Sequence, residues 1–173
     1  MGKHREALEN LSNSLTMQKK IYGEKHLETA ITYNNIGEVY NSLGDTKKSM
    51  DNLQRCLDLL STIFGKNDHP DMATSLHNKG NLLQKMGEFD KARESLEKSL
   101  GMINKLYAKD KFEKSQALIN LAKVYEKIGE QDKADEYYTQ ALEIQKKLSI
   151  DSRRSTQFGD DQSIQMNPEN NVV

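Results

Sequence analysis

Apolar residues recur every three or four positions through most of the chain, the period of one face of an α-helix. Met50, Leu53, Leu57, Leu60 and Phe64 form one such stripe. Leu8, Leu11 and Leu15 form another, Ala92, Leu96, Ile103 and Leu106 a third, and Ala134, Tyr138 and Ala141 a fourth. Between these lie weaker stripes in which a small residue separates two bulky ones: Tyr33/Gly37/Tyr40, Leu76/Gly80/Leu83 and Leu118/Ala122/Tyr125. A small residue there lets a second helix come close. Each weak stripe ends on an apolar residue and glycine: Leu43-Gly44, Met86-Gly87 and Ile128-Gly129. Glycine takes the left-handed conformation that stops a helix. Polar connectors at 22–27, 65–71 and 107–112 follow the strong stripes, and Pro70 suits the first turn of a helix. The pattern predicts seven helices, at 3–22, 28–43, 46–64, 70–86, 89–107, 113–128 and 131–148.

The helices come in a repeat. Gly2, Gly44, Gly87 and Gly129 are spaced by 42, 43 and 42 residues. Three segments align on them: Tyr33-Asn-Asn-Ile-Gly-Glu-Val-Tyr-Asn-Ser-Leu-Gly44, Leu76-His-Asn-Lys-Gly-Asn-Leu-Leu-Gln-Lys-Met-Gly87 and Leu118-Ile-Asn-Leu-Ala-Lys-Val-Tyr-Glu-Lys-Ile-Gly129. Ala7 and Leu11 match Ser49 and Leu53, Ala92 and Leu96, and Ala134 and Tyr138. The expected domain is a solenoid over 1–148: a partial repeat at 1–27, then units at about 28–70, 71–112 and 113–148. Beginning inside a hairpin points to a fragment of a longer array. From Ser149 the helical period is lost among Ser, Thr, Gln, Asn and Asp, and residues 149–173 are read as a mostly disordered polar tail.

This hairpin pattern resembles the tetratricopeptide repeat, whose usual unit has about 34 residues. The longer unit resembles the repeats of kinesin light chains. Tyr33-Asn-Asn-Ile-Gly, Ala141-Leu-Glu-Ile-Gln-Lys-Lys and Gly65-Lys-Asn-Asp-His-Pro are similar to that subfamily's Asn-Asn-Leu-Ala, Ala-Leu-Glu-Ile and Gly-x-x-His-Pro elements. The resemblance implies an all-α, right-handed α-solenoid of antiparallel helical hairpins, about three and a half repeats long, with its first helices lining a concave groove. It departs at Lys79, where the sister repeats have Ile36 and Leu121, and at Ser49 and Ser99, where the second helix usually has Ala.

The resemblance assigns groove positions. One column is Asn35, Asn78 and Asn120. Beside it lie Asn34, His77 and Ile119, then Glu38, Asn81 and Lys123, then Asn41, Gln84 and Glu126. An asparagine amide both donates and accepts, so a ladder of them suits the main chain of an extended peptide, with Glu38, Lys123 and Glu126 adding charge preference. The opposing reading is that these asparagines brace neighbouring helices. A carboxylate clamp of the chaperone-binding type is disfavoured, because His77 stands where a lysine is required.

Composition narrows the chemistry. The 173 residues carry 25 basic and 26 acidic side chains. Nucleic acid is not an expected partner, since phosphate backbones demand a positive surplus. No run is apolar for long enough to span a membrane. The lone cysteine, Cys56, cannot close an internal disulfide, and a cytoplasmic setting is expected. Cys56 falls in the small-residue column with Ser14, Ser99 and Ala141 and reads as packing, not as a nucleophile. His4, His26, His69 and His77 lack metal-ligand spacing. His26 and His69 hold equivalent connector places, which suggests capping. No catalytic residue, cofactor or metal site is expected, and the chain is read as non-enzymatic. Arg153-Arg-Ser-Thr156 has the form of a basic-directed kinase site, with Ser155 or Thr156 as acceptor. The expected function is a protein–protein interaction module that binds a peptide segment in its groove, as a kinesin light chain-like cargo adaptor or scaffold. The alternatives are self-association through the incomplete first repeat, or a regulatory fragment of a larger signalling enzyme.

Overall fold

The structure, a computed structural model, describes residues 2–108 and 111–161, the last eleven of these by backbone alone. Seven helices follow one another: α1 (Gly2–Tyr22), α2 (Leu27–Leu43), α3 (Thr46–Phe64), α4 (Pro70–Lys85), α5 (Phe89–Leu106), α6 (Phe112–Lys127) and α7 (Gln131–Asp161). There is no strand among the described residues. The pairs α2/α3, α4/α5 and α6/α7 form antiparallel hairpins. Successive hairpins stack by α1 on α2, α3 on α4 and α5 on α6, and the first helices α2, α4 and α6 touch in sequence. Every contact is with a neighbouring unit, as in a solenoid.

The glycine stops turn each hairpin. Gly44, Gly87 and Gly129 have φ of 80°, 80° and 84°. Each lets the residue after it donate its backbone N–H to a carbonyl five residues back: Asp45 to Tyr40 at 3.0 Å, Glu88 to Leu83 at 2.9 Å and Glu130 to Tyr125 at 2.9 Å. These bonds satisfy carbonyls that the helix end would otherwise leave bare. The helices of a hairpin then meet at the small-residue positions. A Cβ on Gly37 would stand 3.0 Å from Leu53 Cγ, and one on Gly80 would stand 2.6 Å from Leu96 Cγ. Where the third hairpin has Ala122, the facing residue is the half-buried Tyr138 in place of a fully buried leucine.

The serines that replace the usual alanine are accommodated by hydrogen bonds. Ser49 Oγ donates to the Gly37 carbonyl at 2.8 Å and Ser99 Oγ to the Ala73 carbonyl at 2.7 Å. Both serines are fully buried. A paired hydroxyl avoids the desolvation penalty of a bare one, so serine costs the core little here. Lys79 is half-buried and its Nζ reaches Gln54 Oε1 at 2.9 Å, so its charge stays near the surface while its stem covers apolar area.

The connectors repeat a device. His26 stacks on Tyr22 with ring centroids 4.4 Å apart, and His69 on Phe64 at 3.8 Å. Each imidazole Nδ1 accepts a backbone N–H at the start of the next helix: from Glu28 at 3.3 Å and from Asp71 at 3.2 Å. These histidines are the N-caps of α2 and α4, in agreement with the capping role read from their equivalent places. Pro70 follows in the first turn of α4. The third connector has Lys111 at the N-cap of α6 with no side-chain cap bond. Its Nζ lies instead 4.9 Å from the centroid of Tyr107, an aromatic–cation contact in place of an aromatic–imidazole stack.

One expectation is corrected. The pattern predicts that the last helix ends at 148, but α7 runs on to Asp161. No glycine or proline interrupts 149–158, so the backbone ladder continues although the apolar stripe has ended. Residues 162–173 lie outside the described residues.

Candidate functional site

The predicted groove residues lie on the first helices α2, α4 and α6, which touch in sequence. Asn34 is buried, while Asn35, Glu38, Lys123 and Glu126 are exposed. Asn41, His77, Asn78, Asn81, Gln84, Ile119 and Asn120 are half-buried.

The asparagine column is mainly engaged with the protein itself. Asn78 Nδ2 donates to Asn34 Oδ1 at 3.1 Å and also bonds Glu38 Oε1. Asn34 Oδ1 accepts a second bond, from Ser75 Oγ at 3.1 Å. One repeat later, Asn120 Nδ2 lies 3.1 Å from His77 Nε2. The rule is the same at both junctions: the asparagine of one repeat bonds the preceding column's residue in the repeat before. Recurrence of asparagine therefore has a structural cause, as a brace between adjacent first helices. Asn35, in the first complete unit, is exposed. Lys85 Nζ likewise spans the repeat to Asn41 Oδ1 at 2.8 Å, and Glu126 Oε2 accepts from Tyr138 at 3.3 Å.

An amide nitrogen cannot accept, so the Asn120 bond requires a bare Nε2 on His77 and places the imidazole proton on Nδ1. Burial pushes the His77 pKa down from its ordinary value, which keeps this ring neutral. Asn81 Oδ1 is buried without a hydrogen-bond donor, a standing cost in this part of the face.

A feature that sequence reasoning missed lies at the N-terminal ends of α4 and α6. A cavity of about 220 Å³ opens there, with Pro70, Ala73, Ile103, Tyr107 and Phe112 supplying apolar walls and His77 and Gln116 polar ones. Phe112 is 57% exposed at its edge. The absence of the Asp-His-Pro element from the 107–112 connector was the available signal. Only the packing of three helices shows that the change accompanies an opening.

Cys56 is fully buried, with Sγ 3.0 Å from Ser75 Oγ. Burial raises its thiol pKa to about 11, which disfavours the thiolate a nucleophile needs. Among the described residues no group of three or more His, Cys, Asp or Glu is placed to hold a metal ion. No helix among them is long and apolar enough to cross a membrane. Ser155 and Thr156 fall within α7, where only the backbone is described.

The family model described as tetratricopeptide repeat matches residues 1–62 and 71–147. The chain is a tetratricopeptide repeat protein. Repeats of this family generally mediate protein–protein interaction and are generally non-enzymatic. Solved structures agree on the fold. BtubC (BKLC) of P. vanneervenii superposes with a TM-score of 0.75 at 21% identity, over 99% of this chain and 63% of that one. A kinesin light chain-type protein of Podosopora anserina, with nearly identical TPR-like repeats, gives a TM-score of 0.64 at 22% identity over 85% of this chain and 69% of its own. MamA gives 0.56 at 22% identity, covering 83% of this chain and 81% of MamA. This tetratricopeptide chain thus spans under two thirds of the BtubC structure, and at these identities the likeness is one of fold. Comparison with curated protein sequences gives no match. With the family in place, the hairpins form the right-handed α-solenoid that the resemblance to it implies.

Proposed function

We propose that this tetratricopeptide solenoid binds an extended segment of a partner protein along the side presented by α2, α4 and α6. The observation that carries the reading is the cavity of about 220 Å³ beside His77. It has the volume of a large apolar side chain and lies next to a row of polar groups. A peptide would seat one bulky residue there and run its main chain past Asn35 and Asn120, with Glu38, Lys123 and Glu126 selecting charge. A kinesin light chain-like adaptor or scaffold role, in the cytoplasm and without catalysis, fits this module and the likeness to the Podosopora protein.

Because Asn78 and Asn120 brace the fold, replacing them would mix lost structure with lost binding. The cleaner test selects peptides on the protein from a displayed random library. The selected peptides are then titrated against Gln116→Trp, which fills the cavity from an exposed position, and Lys123→Glu. Binding should fall at least tenfold with helical circular dichroism unchanged. Equal affinity for both variants and the parent would refute the groove reading.

A second reading is self-association through α1. That helix has no buried residue, and Met17 and Ile21 are 60% and 66% exposed. Sedimentation velocity over a hundredfold concentration range separates the two: a constant monomer excludes this one.

A further inference from the structure

The first stacking junction carries a constellation that the other two lack. Tyr33 of α2 is 7% exposed and projects between α1 and α3, the second helices of successive units. Lys19 Nζ lies 5.6 Å from its ring centroid and Arg55 Cζ 5.7 Å, one cation from each flanking helix. A cleft of about 240 Å³ opens over them, edged by Glu24, Asp58 and Leu59. The corresponding residues are Ser61, Leu76 and Lys98 at the second junction, and Asn104, Leu118 and Gln140 at the third. Leucine at the Tyr33 place is enough to pack a junction. A tyrosine with two cations is therefore not demanded by the stack.

The three groups make a donor set. Lysine offers an ammonium, arginine a planar fork and tyrosine a hydroxyl. Burial raises the Tyr33 pKa, yet hydrogen bonding from Lys19 and Arg55 outweighs it and leaves the phenol below its ordinary value, so the site is electropositive at the oxygen. One anion is already present. Glu24, on the exposed connector, bonds Lys19 Nζ at 2.9 Å, and its carboxyl is held below the usual range by that lysine. Asp58 at the rim accepts instead from Gln54 Nε2 at 2.8 Å.

We infer that the Lys19–Tyr33–Arg55 cleft is a binding site for a phosphate group, with Glu24 as a displaceable internal carboxylate occupying part of it. Two cations match the charge of a phosphate monoester, about −1.5 to −2, better than that of a single carboxylate. The fork of Arg55 suits two phosphate oxygens, and Tyr33 donates its hydroxyl proton to a third. The site lies on the second-helix side of the solenoid and does not depend on the groove reading.

Inorganic phosphate is titrated at constant ionic strength while ¹H–¹⁵N spectra are recorded for the parent chain, Lys19→Gln/Arg55→Gln, Tyr33→Phe and Glu24→Gln. The expected result is a saturable shift centred on residues 19, 33 and 55, lost at least tenfold in the double variant and weakened severalfold in Tyr33→Phe. Glu24→Gln, an exposed change that removes the competitor, tightens binding severalfold. No saturable shift in the parent, or phosphate affinity that is the same in the double variant or unaltered in Glu24→Gln, overturns the assignment. A parallel arm uses a glycine-flanked phosphoserine peptide and its unphosphorylated form. A phosphopeptide preference of tenfold over inorganic phosphate assigns the site to a partner's side chain, and equal affinity assigns it to the free anion. Binding of both peptide forms alike refutes phosphate recognition.

Discussion

Asn78 donates its side-chain amide to Asn34 Oδ1 at 3.1 Å, joining residues one repeat apart through the faces of α4 and α2. The same oxygen accepts from the buried Ser75, so a single carbonyl ties two groups of one hairpin to the previous hairpin. In a solenoid each unit is held only by its neighbours, and such braces bear on the cooperativity of the whole array.

Asn34→Ala should destabilise the fold by about 1 kcal/mol, because it removes the acceptor that the Ser75 hydroxyl and the Asn78 amide share and leaves them only Cys56 Sγ and Glu38 Oε1. Asn35→Ala, one position along and exposed, should change stability by under about 0.5 kcal/mol. Urea unfolding followed by circular dichroism compares the two. Equal effects would show that the brace adds nothing.

Gly80→Ala and Gly37→Ala should part in sign or size. Alanine gains about 1 kcal/mol of helix propensity over glycine at either place. At Gly80 the new methyl would stand 2.6 Å from Leu96 Cγ, and overpacking of this kind costs about 1–3 kcal/mol. At Gly37 the approach is 3.0 Å, so a few tenths of an ångström of yielding by Leu53 suffices. Thermal melts should rank Gly80→Ala clearly below the parent and Gly37→Ala near it.

Lowering the pH should weaken the stack through His77. Its folded-state pKa is depressed, so the unfolded chain takes up the proton first. The contribution is fully present above the ordinary imidazole value of about 6.5 and is lost as pH falls below it. His77→Gln, which keeps a polar partner for Asn120, should flatten that part of the stability–pH curve. A slope between pH 5 and 7 identical to the parent's would exclude His77 as its source.

Lys111→His should raise the melting temperature. It would place an imidazole at the one N-cap of the three connectors with no side-chain bond, over Tyr107 as His69 lies over Phe64. A cap of this kind contributes about 1 kcal/mol. Removing the existing cap with His69→Ala should cost a similar amount, and differential scanning calorimetry of both variants checks the pair.

The seven helices, and the limits of all but the last to within a residue or two, were legible because the signals are local. Glycines at 44, 87 and 129 stop a helix whatever surrounds them, and a three-to-four-residue stripe needs only its own chain. The helical stretch from 149 to 161 was not legible, because it carries no apolar stripe and has only the absence of glycine and proline up to 158 to mark it. The proposed groove columns lie on α2, α4 and α6, but the use of Asn78 and Asn120 as braces is hidden in the sequence. A repeated residue reads the same whether it faces a ligand or the next helix.

The sequence by itself determined the repeat length, the helix order and the hairpin turns of this tetratricopeptide chain, since each follows from backbone preferences and periodicity within a few turns. Tertiary structure alone decided which polar groups remain available. Asn34, Asn78 and His77 lost their freedom to contacts 41 to 44 positions away in the chain. Lys19, Tyr33 and Arg55, which nothing along the chain links to one another, came together because α1 and α3 flank α2. Such contacts depend on how far each hairpin is rotated against the next, a quantity set by the packed volume of many side chains at once and carried by no single segment.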